Sequence, residues 1–211
     1  MTPNFLMSDY FTKTRVEAFS DGVFAIIITL LILEIKVPHI ENHESISDLA
    51  KSLAALTPKF IAWVISFLTV GVIWVNHHRL FESLKDVNHW IFWLNANLLL
   101  WVSFLPFPTA LMGEYPHNKL AVSFFGLSSL MMGIAFLVFR LYMWKHPELT
   151  KGFSKAELWT GVRNVLFFGP LTYLLGAATA WIHPFIAFAF YALVTIYFIF
   201  PNSIALQKPD E

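Results

Sequence analysis

The chain has 211 residues, of which 57% are hydrophobic and 17% aromatic against only 13% charged. That is more apolar surface than a soluble domain of this length can bury, so the chain is read as an all-α integral membrane protein. Zero net charge with no basic patch interleaved with aromatics excludes nucleic acid as a partner, and the lack of cysteine excludes disulfides, thiolate catalysis and thiolate metal sites.

The opening stretch, MTPNFLMSDYFT, has no basic n-region, and no A-x-A pattern follows the first apolar run, so that run is expected to remain in the mature protein. Six segments are long and apolar enough to cross a bilayer. The first, residues 15–37, opens on the capping-box pattern Thr14-Arg15-Val16-Glu17 and is stopped by Pro38. Its 23 residues would span roughly 34 Å. In the loop that follows, SISDLAKSLAAL sets Ile46, Leu49, Leu53 and Leu56 on one stripe, which predicts a short helix lying at the membrane surface. The second span, 58–79, starts at Thr57-Pro58, a natural N-cap and first-turn pair, and ends in Asn76-His77-His78-Arg79. The third, 90–112, has no charge before Glu114, and Pro106 and Pro108 should loosen its last turns. Asn118 can cap the fourth, 118–144. A second capping box, Ser154-Lys155-Ala156-Glu157, opens the fifth, 155–181, which Gly169-Pro170 interrupts. A turn at His183-Pro184 divides it from the sixth, 184–206.

With six spans, Lys13, Arg15, Arg79, Lys85, Arg140, Lys145, Lys151, Lys155, Arg163 and Lys208 fall on one side and only Lys36, Lys51, Lys59 and Lys119 on the other. The positive-inside rule then places both termini in the cytoplasm and gives one six-helix domain over residues 1–211.

The first span poses the functional question. Asp21 sits about 10 Å inside the helix start, deeper than a boundary residue needs to be, and exposing a carboxylate to lipid is costly. Ser20 and Gly22 share its turn, and Arg15, His77, His78 and Arg79 lie at the right height to pair with it. A structural polar cluster is the favoured reading; direct contact with a transported ion is the alternative. Farther along, Ile26, Leu30 and Leu33 form one stripe and Gly22, Ala25 and Thr29 a neighbouring stripe of small side chains. Composition alone assigns one stripe to lipid and the other to close packing.

Other chemistries fit poorly. Asn76-His77-His78-Arg79-Leu80-Phe81-Glu82 superficially resembles the N-H-x4-D pattern of membrane acyltransferases, but Glu replaces Asp and no Gly-rich acceptor loop accompanies it, so the chain is not read as an enzyme. Adjacent His77 and His78 point about 100° apart on a helix and do not readily share a metal or haem. A secondary ion transporter is the main alternative, given the proline-broken third and fifth spans, although no internal repeat accompanies them.

The stretch RVEAFSDGVFAIIITLLILEI closely resembles the first-helix signature of the prokaryotic homologues of the lysosomal potassium channel, transmembrane protein 175: an Arg followed by Phe-Ser-Asp, here Arg15, Phe19, Ser20 and Asp21. Six spans filling a short chain, and a second span ending in His77-His78-Arg79, agree with it. The resemblance implies a potassium-preferring cation channel, also suggests passage of protons, and implies a homotetramer in a prokaryotic cell membrane. Its implied constriction is Ile26, Leu30 and Leu33 on the first helix, with Thr29 as a polar layer, and the structural cluster is Arg15, Phe19, Ser20, Asp21, His77 and His78. No cofactor is implied, only permeant potassium. The residues agree in one independent respect: no TVGYG-like filter is present and Phe-Ser-Asp does not recur, so a pore lined by this helix needs several copies of the chain.

Overall fold

The computed structural model describes residues 12–199. Among them there is no β-strand, only helices joined by turns and, over 35–45, a longer loop. In chain order these are α1 (Lys13–Leu30), which tightens into a 3-10 turn over Leu31–Glu34, α2 (Ile46–Ala55), α3 (Thr57–Glu82), α4 (His89–Phe104), α5 (Pro106–Glu114), α6 (Lys119–Lys145), α7 (Lys155–Phe168), α8 (Pro170–Thr179) and α9 (Pro184–Ile199). Among the described residues four stretches are long and apolar enough to cross a membrane: Lys13–Glu34, Thr57–Glu82, His89–Glu114 and Lys119–Lys145. The expected end of the last segment at 206, and Lys208, lie outside the described residues.

Local chemistry explains most of the boundaries. Ser154 caps α7 by accepting from the Glu157 amide at 3.3 Å, and Glu157 accepts from the Ser154 amide at 2.7 Å, so this capping box forms in full. Asn118 caps α6 by accepting from the amides of Leu120 and Ala121. The box expected at Thr14 does not form. Thr12 takes the N-cap position and its carbonyl receives the amides of Arg15 and Val16, which leaves Thr14 inside the first turn. Glu17, freed from capping, turns to Lys13 at 3.9 Å. The far end of α1 also departs from expectation, since the α-helix stops at Leu30 and Ile35 is already extended. Pro38 disfavours helix at the residue before it, and tightening to 3-10 geometry dissipates the last turn ahead of that point. At the second span, Leu56 rather than Thr57 is the N-cap, because it also closes α2; the Thr57 hydroxyl donates back to the Ala54 carbonyl at 2.7 Å. The helix expected on the outer loop is present as α2, with Ile46, Leu49 and Leu53 exposed.

Proline sets the two breaks in the longer segments. Leu105 joins α4 to α5 ahead of Pro106, and Gly169, at φ −105° and ψ −96°, joins α7 to α8 ahead of Pro170. α6 is the central post, with 61% of its apolar stretch buried against 28% for the stretch containing α1. It packs on α4, α5, α7, α8 and α9, while α1 leans on α3 and α4. Tyr191 of α9 fits between α6 and α8 because glycines line its slot: a Cβ on Gly126 would strike its hydroxyl and one on Gly176 its ring. That hydroxyl donates to the Val122 carbonyl at 2.9 Å.

The turns tie each end of the bundle together. At one end Leu84 and Thr150 form an antiparallel bridge, and Lys13 Nζ donates to the Leu84 carbonyl at 2.9 Å. The start of α1 and the C-terminal ends of α3 and α6 therefore meet. At the other end Lys59 pairs with Glu114, and Lys119 donates to the Trp181 carbonyl at 2.7 Å.

Candidate functional site

α1 has two unlike faces. Val16, Ser20, Phe24, Ile27 and Leu31 recur at intervals of three or four and are sealed against α3 and α4. The opposite face is uncovered from end to end: Arg15, Phe19, Gly22, Ala25 and Thr29 are exposed, as are Ile26 at 60%, Leu30 at 43% and Leu33 at 58%. From Phe19 to Leu33 this open stripe runs about 21 Å along the helix.

The sealed face is held by a directed chain of hydrogen bonds. Ser20 Oγ donates to the Val16 carbonyl at 2.8 Å, so toward Asn95 it can only accept, and Asn95 Nδ2 donates to it at 2.9 Å. The Asn95 amide is thereby oriented with Oδ1 toward His77, whose Nε2 lies 2.7 Å away. His77 must then donate through Nε2–H. All three side chains are 2% exposed or less. Aromatic contacts wedge the imidazole in place, with Phe24 at 5.3 Å and Phe81 stacked at 4.4 Å between centroids.

Asp21 lies on the other side of the same turn and is exposed. It accepts from Trp74 Nε1 at 2.8 Å, and the Trp74 ring stacks on His78, which in turn faces Glu82 at 3.4 Å. Among the sequence-predicted residues, then, Ser20 and His77 are joined through Asn95, while Asp21 and His78 belong to a separate, exposed group built on Trp74. Arg15 and Phe19 lie open at the helix start. Sequence reasoning missed the two connecting residues, Asn95 and Trp74. A signal existed for the first, since an amide in an uncharged membrane segment tends to be hydrogen-bonded across helices. None existed for Trp74, one of 8 tryptophans in the chain.

Beside Asp21, a groove of about 360 Å³ runs between α1 and α3, floored by Ala25, Ile28, Val70 and Gly71. Thr29 turns its hydroxyl proton to its own backbone, 2.8 Å from the Ile26 carbonyl and 3.1 Å from that of Ala25. The oxygen lone pairs are left to the open side. Glu34 and Lys36 border a second pocket, of about 390 Å³, at the far end of the helix, beside the Lys59–Glu114 pair.

The model of the endosomal/lysosomal potassium channel TMEM175 family matches residues 15–106. A potassium channel of Chryseobacterium sp. (strain P1-3) is 36% identical over 193 residues, covering 90% of this chain and 94% of that protein. One from Chamaesiphon minutus is 39% identical over 192 residues, covering 87% and 92%. The human endosomal/lysosomal proton channel TMEM175 is 32% identical over 178 residues, which cover 80% of this chain and 35% of the human protein. Among solved structures, the crystal structure of a lysosomal potassium-selective channel TMEM175 homologue from Chamaesiphon minutus superposes with a TM-score of 0.76 at 38% identity, covering 90% of this chain and 97% of the other.

Proposed function

We propose, from the premise that the chain belongs to the TMEM175 potassium channel family, that it is a potassium channel whose conduction path is the axis of a homotetramer lined by the open face of α1. In this reading α7 and α8 together make the fifth membrane crossing and α9 the sixth. The end carrying Lys13, Lys85 and Lys151 is cytoplasmic, and the protein sits in a prokaryotic cell membrane. The observation that carries the reading is the pairing of the two faces of α1. A helix sealed on one side by α3 and α4 leaves uncovered a face that bears Thr29 beside the aliphatics, with the exposed carboxylates of Asp21 and Glu34 near its two ends, Asp21 at the edge toward Trp74 of α3. Carboxylates are costly against lipid and useful against a cation pathway.

On that stripe Ile26, Leu30 and Leu33 form successive aliphatic rings. Such rings offer a cation no ligands, so the neck tends to dewet and an ion sheds part of its water to pass. Potassium, being larger, holds that water less tightly than sodium. Thr29 supplies the nearest oxygens, and because its proton is engaged with the backbone, it presents lone pairs. Asp21 at one mouth and Glu34 at the other raise the local cation concentration. Several vertebrate relatives are described as proton channels, and we extend the reading to protons, which need only a transiently wetted neck.

The test is a bi-ionic reversal potential in liposomes, with potassium on one side and sodium on the other. Ile26→Asn puts amides and water into the neck, so conductance should rise and discrimination fall. Leu127→Asn, on α6, should leave ion preference unchanged. An unaltered reversal potential in a conducting, correctly assembled Ile26→Asn channel would remove the aliphatic stripe from the selection step.

A further inference from the structure

Behind α3, on the side away from α1, lies a cavity of about 30 Å³ bounded by α3, α6, α7, α8 and α9. Its walls are mainly apolar, Met132, Phe136 and Val165 among them, but two polar features border it. One is Asn76. The residue is 4% exposed, its Nδ2 donates to the Val72 carbonyl at 2.9 Å, and its Oδ1 is sealed with no hydrogen-bond partner. The other lies seven residues earlier on α3, where Thr69 Oγ1 stands 3.0 Å from Thr195 Oγ1 and Tyr173 also borders the cavity.

A buried amide oxygen without a donor is rare enough to require an explanation. Rotating the Asn76 amide does not supply one, because it would set Oδ1 against the Val72 carbonyl, acceptor to acceptor. The missing partner must be a donor that fits the cavity, and size decides which. A water molecule needs about 10–15 Å³ of such space, so the cavity has room for two or three and for no organic ligand. A potassium ion is excluded by the walls, which provide too few oxygens to replace a hydration shell.

We propose that this cavity is an internal hydration site, in which a water molecule donates to Asn76 Oδ1 and, with a second toward the Thr69–Thr195 hydroxyls, bridges α3 to α9. The consequence concerns His77. It follows Asn76 directly and points about 100° away around α3, toward Asn95 and Ser20. At this level α3 is held by side-chain bonds on the α1 side and by water on the other. The site stands independently of whether α1 lines a pore.

Two measurements on the full-length protein in lipid test it. A cryo-EM map of sufficient resolution to show bound water should contain a peak within hydrogen-bond distance of Asn76 Oδ1, and that peak should vanish in Val165→Ile, which adds a methyl group to the cavity wall. Xenon NMR should show no saturable uptake that Val165→Ile abolishes. The proposal is overturned by an empty map around Asn76 in the wild-type protein, which decides the matter even if the variant fails to fold. It is equally overturned by xenon uptake that the variant abolishes, since that is the behaviour of a dry apolar hole.

Discussion

Asn95 is the middle link of the chain that runs from His77 to Ser20, and replacing it with Leu tests whether that chain fixes α1. The substitution removes two side-chain bonds, at 2.7 and 2.9 Å. Interhelical hydrogen bonds inside membranes average about 0.6 kcal/mol each, so their direct loss is roughly 1 kcal/mol. The greater cost comes from the His77 Nε2–H left behind: it is sealed, Leu offers no acceptor, and an orphaned buried donor costs about 1–3 kcal/mol. Together the loss is roughly 2–4 kcal/mol, a large fraction of what a marginally stable protein has to spare. His77→Phe should cost a similar amount for the converse reason, because it orphans Asn95 Oδ1. Combining the two removes both polar partners and lets a ring rest between Phe24 and Phe81, so the double variant should be less damaged than the sum of the single ones by about 1–2 kcal/mol. Denaturant titration of the detergent-solubilised assembly, with size-exclusion elution recorded alongside, gives all four corners of the cycle. An Asn95→Leu cost under about 0.5 kcal/mol, the range of ordinary surface changes, or strict additivity in the double variant, would refute the claim that these bonds hold α1.

Three further outcomes follow from the geometry. Gly126→Val should destabilise the bundle by about 1–3 kcal/mol or more through overpacking, since a Cβ there meets the Tyr191 hydroxyl and lies 2.9 Å from Ala177 Cβ; Gly22→Ala, with nothing within 4 Å in the chain, should not lower the melting temperature and should raise it slightly through helix propensity. Asp21→Asn keeps an acceptor for Trp74 and should assemble normally, but its single-channel conductance should fall at low ionic strength and recover at high salt, where screening hides the missing charge. Equal conductance of wild type and variant at low salt would place Asp21 away from the ion path. Ser154→Ala removes the side-chain half of the α7 cap and should cost about 1 kcal/mol; hydrogen exchange of the first α7 amides, Glu157 above all, should speed up correspondingly.

Features whose physics is local were legible in the sequence. The Ser154–Glu157 box, the Asn118 cap, the short helix around Leu49 and the breaks at Pro106 and Pro170 each depend on residues a few positions apart, and each is present. The failures came where two local solutions competed. Thr12 displaced Thr14 as the cap of α1, and Leu56 served two helices at once and displaced Thr57. The site was legible only in outline, because the bonds that sort its residues are long in sequence. Asn95 reaches Ser20 across 75 positions, and Trp74 reaches Asp21 across 53. No periodicity encodes those separations.

The same sorting bears on the question that the sequence left open for the stripes of α1. Composition could not say which stripe faces lipid, since Ile26, Leu30 and Leu33 suit lipid as well as they suit a dry neck. The polar residues discriminate where the aliphatic ones do not. Ser20 has its partners and lies on the sealed face; Thr29 lies on the open face beside the aliphatic stripe, and Asp21 is exposed at the edge of that face toward α3, where Trp74 donates to it. A lipid-facing surface would have to leave a carboxylate and a hydroxyl oxygen without water along one helix, at a cost of several kcal/mol for the carboxylate alone. A wet surface imposes no such cost. The choice between the two readings therefore turns on whether Asp21 and Thr29 meet water, and low-salt conductance of Asp21→Asn measures that for the first of them.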